Sequence, residues 1–178
     1  MSEYDIAFGE KLAETAHMVA AEDCGTLDAQ RTVLYLSLLS AEITLKAMLE
    51  HAGKPILDIR ARSHCLAKLL SDLSQCEVEI EIAPGTRRYQ PASRLRSCTI
   101  EFGSAQTTVG KVIDAENIGA SIYPNQIRYG DALRHFPAEV VVRMASSILK
   151  FAHEHWHSLR MKVAQPSAPR DAPQAVRP

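Results

Sequence analysis

From Leu27 to Pro55 the chain reads LDAQRTVLYLSLLSAEITLKAMLEHAGKP, and its apolar positions return every three or four residues. Leu34, Leu38, Ala41, Leu45, Met48 and Ala52 form one stripe, and Leu36, Leu39, Ile43 and Leu49 fill most of the remaining surface. That period predicts an α-helix. Asp28 can cap its start, and Gly53 followed by Pro55 closes it. A helix apolar nearly all round must be buried on several sides or at an interface, so it is expected at the centre of the fold.

The same period, less regular, runs from Ser2 to Cys24 through Ile6, Ala7, Leu12, Ala16, Val19 and Ala20, with Ser2 as a candidate cap and Gly25 as the stop. A third helix is expected from Ser63, its cap, with Leu66, Leu69, Leu70 and Leu73 facing inward. At EVEIEI, Glu77 to Ile82, the period drops to two, the signature of a half-buried strand. CTIEF, Cys98 to Phe102, is the candidate partner in a short ribbon, and the link APGTRRYQPASRLRS between them reads as loop. Thr107 or Thr108 can cap a short helix ending at Gly119, and a long last helix follows Pro137, placed as its first residue. Val140, Val141, Met144, Ile148 and Phe151, then His155 or Trp156, mark its inner side.

The sum is a mainly α fold, a bundle of four main helices forming a single domain over residues 1–164. An irregular insertion with a short β-ribbon occupies 77–125, before the last helix. The tail 165–178, rich in Pro, Ala and charge, is expected to be disordered.

Composition narrows the class. With 178 residues the chain is long enough to bury a sizeable core, and 46% hydrophobic with 23% charged residues is ordinary for a globular protein. The net charge of -1 means that nucleic-acid binding would need a local basic patch. No eighteen-residue apolar run occurs and MSEYDIAFGEK does not resemble a signal peptide, so a cytoplasmic location without membrane insertion is expected. Cys24, Cys65, Cys76 and Cys98 form no CxxC pair and are expected as free thiols.

Five groups carry candidate chemistry. In SIYPNQIRYGDALRHFP, Arg128 and His135 stand seven positions apart. Histidine can move a proton near neutral pH and arginine can hold a phosphate through two hydrogen bonds, the needs of metal-independent RNA cleavage. On a straight helix, however, seven residues separate them by about 10 Å, too far for one phosphate unless the segment bends or a second subunit contributes. The alternative is structural, with Arg128 bracing a loop and His135 ending a turn of helix. Arg87, Arg88, Arg94 and Arg96, with Tyr89 among them, could contact phosphates and stack on a base, or simply balance Glu77, Glu79 and Glu81. Glu42 and Lys46 lie one helical turn apart on an otherwise apolar helix, where two charges are costly unless they line a groove or an interface. His64, at a helix start, suits a neutral structural role or a bond to a neighbouring carboxylate. In HEHWH, His153 and His157 share a helical face but lack a visible third ligand, so no metal and no cofactor are expected.

The stretch SAEITLKAMLEHAGKPILDIRARSHCLAKLLSDL, Ser40 to Leu73, resembles the HEPN superfamily (higher-eukaryote and prokaryote nucleotide-binding domain). The pattern is a glutamate–x3–lysine helix, a glycine-containing break and a histidine–x–leucine opening the next helix: Glu42, Lys46, Gly53, His64 and Leu66. The resemblance covers the helical scaffold and leaves Glu77 to Asn125 unaccounted for. It implies a commonly dimeric helical bundle tied to RNA cleavage, nucleotide binding and toxin–antitoxin or defence systems, with a nucleotidyltransferase or antitoxin as partner. Its ribonucleases carry an arginine, four to six intervening residues and a histidine, and two copies meet across the dimer interface. Arg128 and His135, with six residues between, match that pattern at its long end, while Tyr129 stands where those nucleases usually have a polar residue. The resemblance thus implies Arg128 as phosphate holder and His135 as general base or acid. A non-catalytic alternative is a dimeric scaffold whose groove, lined by Glu42, Lys46 and His64, binds a nucleotide or a partner protein.

Overall fold

The computed structural model describes residues 2–22, 25–116, 127 and 136–162. Arg128, His135, Cys24, the expected helix stop at Gly119 and the tail 165–178 lie outside the described residues. The described chain is mainly helical, with two small antiparallel sheets.

Helix α1 spans Ile6–Glu22 and α2 spans Leu27–His51. Two short helices follow, α3 at Ile56–Arg60 and α4 at Leu66–Asp72. Strands β1 (Cys76–Ala83) and β2 (Thr86–Pro91) form a hairpin, and a 3-10 helix over Ala92–Ser97 leads to a second hairpin of β3 (Thr99–Phe102) and β4 (Ala105–Thr108). Helix α5 (Val109–Glu116) packs on that 3-10 turn. Helix α6 (Ala138–His155) and the two-residue strand β5 (Arg160–Met161) complete the described fold. Strand β5 adds to the free edge of β1, giving the order β2-β1-β5.

Helix α2 is the centre of the core, as its period predicts. By length and composition alone it could cross a membrane, yet 72% of its apolar window is buried against other parts of the chain. Leu38, Leu45, Met48 and Leu49 are fully enclosed, and α6 brings Val140, Val141, Met144, Ile148 and Phe151 to the same core. Its start is set differently from expectation: Thr26, not Asp28, is the cap, its hydroxyl accepting from the Ala29 N–H at 3.2 Å. Asp28 sits in the first turn, where its charge faces the positive helix end. The other end is a Schellman closure. Gly53 takes φ +94°, its N–H donates to the Glu50 carbonyl, and the Lys54 N–H reaches the Leu49 carbonyl, both at 2.9 Å.

Helix α1 lies antiparallel to α6. Glu10 meets His153 at 2.6 Å, and two turns further along His17 meets Ser146 at 2.9 Å. The cap of α1 is Asp5 rather than Ser2: its carboxylate accepts from the Ala7 N–H at 2.9 Å. Its fully buried line is Gly9, Ala13 and Ala16, small residues that let it approach α2 closely. Pro137 caps α6 instead of opening it, and Thr108 caps α5 by accepting from the Lys111 N–H at 3.3 Å.

The strand pairing differs from the sequence-based expectation. EVEIEI is strand as predicted, but it pairs with TRRYQP, the stretch read as loop, through the two-residue link Pro84–Gly85. CTIEF pairs instead with the residues that follow it, Thr99 opposite Thr108 and Phe102 opposite Ala105. In both hairpins the strand has paired with its nearest neighbour in sequence, which keeps the loop short and its closure entropy small.

Candidate functional site

Helix α2 carries three charged residues at one-turn spacing, Glu42, Lys46 and Glu50, in line along its axis. Each has been given partners from elsewhere in the chain. Lys46 Nζ donates to Glu42 Oε1 at 2.7 Å, with 10% and 4% of the two side chains exposed. His64 Nδ1 lies 2.9 Å from Glu42 Oε2 and 3.2 Å from Oε1. A carboxylate only accepts, so Nδ1 carries the hydrogen, and in the neutral ring the lone pair sits on Nε2. His64 reaches Glu42 because the α3–α4 turn reverses at Ser63, held at φ +50° in the left-handed region. Ser63 is therefore a turn residue and not the cap of α4; that place is taken by Cys65, without a side-chain cap bond.

The N-terminal segment closes the other end of this seam. Glu50 accepts the backbone N–H groups of Glu3 and Tyr4 at 2.8 and 2.9 Å. Burial pushes the Glu50 carboxyl up, but those two donors outweigh it and leave it below its usual value. The ring of Tyr4 lies 5.3 Å from Lys46 Nζ, a cation–π contact, and burial raises the Tyr4 hydroxyl above its ordinary value. Glu3 in turn holds Arg60 of α3 through two bonds, Nε at 2.9 Å and Nη2 at 2.6 Å, which lower the Glu3 carboxyl. The result is a continuous polar line from His64 through Glu42 and Lys46 to Tyr4 and Glu50. Its outer end is His64, whose side chain is 47% exposed.

The four arginines of the candidate nucleic-acid patch are divided between two consecutive elements. Arg87 and Arg88 lie on β2, Arg94 and Arg96 on the 3-10 turn after it. Arg87 pairs with Glu79 at 3.4 Å, and Arg96 is tied to Asp114 of α5. Arg88 stands opposite Ile80 in the ladder. Arg94 bonds Gln90 at 3.1 Å and lines a cavity of about 640 Å³ with Val78, Ile80, Cys98, Phe151 and His155. Tyr89 is stacked under a residue the sequence did not single out: the Arg160 guanidinium of β5 lies 3.5 Å from its ring centre. Arg160 also holds Glu77 at 2.9 and 2.7 Å. So the cluster balances Glu79 through Arg87, while Glu77 is balanced by Arg160 from outside it.

The histidines of HEHWH separate. His153 goes to Glu10, and His157 lies past the helix in a 3-10 turn, so the i, i+4 face is not formed. His155 packs edge-on to Phe151 at 4.5 Å, and burial lowers its ring below the ordinary value. Trp156 stacks on His51 at 4.1 Å, joining the C-terminal ends of α6 and α2. Among the described residues no group of three His, Cys, Asp or Glu could hold a metal ion. Cys65, Cys76 and Cys98 take part in no disulfide.

No protein-family model, no curated protein and no solved structure matches the chain.

Proposed function

We propose that this chain is a HEPN-like module that binds RNA or a nucleotide at the seam of Glu42, Lys46 and His64. The observation that carries the reading is their convergence. Glu42 and His64 stand twenty-two positions apart across a glycine break, yet the side chains are bonded at 2.9 Å. All three are positions of the pattern by which this stretch resembles that superfamily, and buried charge on a core helix is costly unless it serves a groove or an interface. On this reading Lys46 and His64 supply positive or hydrogen-bonding groups to a phosphate or ribose. Cleavage, if the chain cuts RNA, is metal-independent, with Arg128 holding the scissile phosphate and His135 transferring a proton. The resemblance further implies a homodimer working beside a nucleotidyltransferase or antitoxin in a prokaryotic defence or stress system.

The test is incubation of a mixed single-stranded RNA pool with the full chain, with and without EDTA. The reading expects RNA to be retained, and any cleavage to survive EDTA and to be lost in Arg128→Ala and His135→Ala. Absence of binding to both RNA and mononucleotides contradicts it.

A second reading is favoured by the arginines. With Arg87 and Arg96 paired to carboxylates, the net basic field that nucleic-acid binding draws on is weak. That favours a non-catalytic dimeric scaffold whose seam takes a nucleotide or a partner protein. Binding of a mononucleotide without binding of RNA would select it.

A further inference from the structure

We propose that the outer edge of β3 is a docking site for an extended peptide segment of another protein, apolar along one side and carrying an acidic residue. The site shares no residue with the seam of Glu42, Lys46 and His64, so it does not rest on the reading above.

The ladder between β3 and β4 fixes which backbone groups are left over. Phe102 and Ala105 close the hairpin around the two-residue link Gly103–Ser104, and Ile100 stands opposite Thr107. Just before β3, the Cys98 carbonyl accepts from the Val109 N–H at 3.0 Å. Bonded pairs alternate along an antiparallel ladder, so they fall at Cys98, Ile100 and Phe102. The N–H and C=O groups of Thr99 and Glu101 therefore point away from β4. Neither residue makes a backbone bond to another described residue on that side. Both are exposed.

The other strand edges are protected. On β5 the Met161 N–H donates to the Ala52 carbonyl at 3.2 Å. Strand β2 carries Arg87, Arg88 and Pro91, residue types that discourage edge pairing. Helix α5 packs against β4. The edge of β3 instead walls a cavity of about 720 Å³, whose far side is α6 through Val142, Ser146 and Lys150, with Ala20 of α1 beside it. Thr99, Ile100 and Glu101 all line this cavity. Three consecutive residues can do so only where the strand presents its edge, because its side chains alternate between faces. A groove between a strand edge and a helix suits an added strand, with main-chain bonds to the edge and alternate apolar side chains set against Ala20 and Val142.

The acidic residue follows from the charges around the cavity. Glu139 and Arg143 bond each other at 2.6 Å, and Glu101 accepts from Gln106 at 3.3 Å. Lys150 has only a 3.8 Å contact with Glu154, and 76% of its side chain is exposed. Lys150 is thus the cation left to a ligand.

The test uses the full chain and the fluorescein-labelled peptide Gly-Val-Thr-Val-Thr-Val-Asp, with affinity from anisotropy and amide hydrogen exchange followed by NMR. Saturating peptide should slow exchange at Thr99 and Glu101 by about tenfold or more, and leave Ile100 and Phe102, already in the ladder, unchanged. Of two peptides N-methylated at the valines or at the threonines, one should lose binding and the other keep it, since only alternate N–H groups face β3. Thr99→Pro removes an outward N–H without touching the ladder and should weaken binding by about fivefold. Lys150→Glu should weaken it by roughly three- to tenfold. If Thr99→Pro does not fold, the N-methylated pair decides on wild-type protein alone. No peptide binding, equal slowing at all four β3 amides, or binding by both N-methylated peptides overturns the proposal. Slow exchange at Thr99 and Glu101 that deepens with protein concentration alone assigns the edge to a second copy, and slowing by single-stranded RNA but not by peptide assigns it to nucleic acid; either overturns it.

Discussion

The Ser40 hydroxyl donates to the Gly9 carbonyl at 2.7 Å, where α1 crosses α2. The contact is possible because Gly9 has no side chain: a Cβ there would lie 2.7 Å from Thr44 Oγ1 and 3.5 Å from the Ser40 carbonyl. Gly9→Ala gains about 1 kcal/mol of helix propensity but drives its Cβ into the hydroxyl of the enclosed, β-branched Thr44, and should be net destabilising by about 1 kcal/mol. Gly9→Leu drives the two helices apart and should destabilise by about 2–3 kcal/mol, roughly a 4–12 °C lower Tm by thermal circular dichroism.

Glu42 is the shared acceptor of Lys46 and His64, so removing it strands a buried ammonium. Glu42→Ala should cost about 3–5 kcal/mol in urea unfolding. The double change Glu42→Leu with Lys46→Met should be markedly more stable than Glu42→Ala, because no buried charge is left unpaired. A double variant as unstable as the single one would show that the seam is held by something other than this pair.

Thiol reactivity should follow burial. Cys76 is fully enclosed beside Met161, its sulfur 3.6 Å from Sδ, and burial pushes its thiol up to about 11. At pH 8 almost none of it is thiolate, so iodoacetamide should label Cys76 only after unfolding. Peptide mapping by mass spectrometry reads this directly. Rapid native labelling of Cys76 would contradict the packing of β5 against β1.

His155 gives a pH dependence of known sign. Burial lowers its ring in the folded state from an ordinary value of 6.5. Above that value the ring is neutral in both states and contributes no slope. As pH falls through it, the unfolded chain binds a proton that the folded chain resists, so stability declines towards the folded value. Wild type should lose more stability between pH 7.5 and 5.5 than His155→Phe in matched urea titrations. Equal losses would mean that the ring is solvated.

Much of the fold is legible in the chain because long helices write a strong period. The inward leucines of α4 and the core residues of α6 are read from spacing alone. Strand β2 is not legible: Thr86 to Tyr89 and Pro91 are exposed, with only Gln90 partly covered, so no alternation of burial marks the segment. Its strand character comes from the backbone ladder to β1, which side-chain chemistry does not announce. Helix α3 escapes for a similar reason, since Ile59 is its one buried residue. For the site, Glu42, Lys46 and His64 are visible as candidates, but their union is not. It depends on a positive φ at Ser63 and on an N-terminal segment whose partner, Glu50, lies 46 residues away from Tyr4. Spacing describes neighbours along one helix and says nothing of a contact made by folding back.

The central claim is that RNA or a nucleotide binds along this seam. Amide and side-chain NMR shifts, followed while a short single-stranded RNA or a mononucleotide is added to the full chain, test it most directly. The account predicts saturable shifts centred on Tyr4, Lys46 and His64, weakened in Lys46→Met. Shifts confined to β2 and the turn after it, or no saturable shift with either ligand, would contradict it.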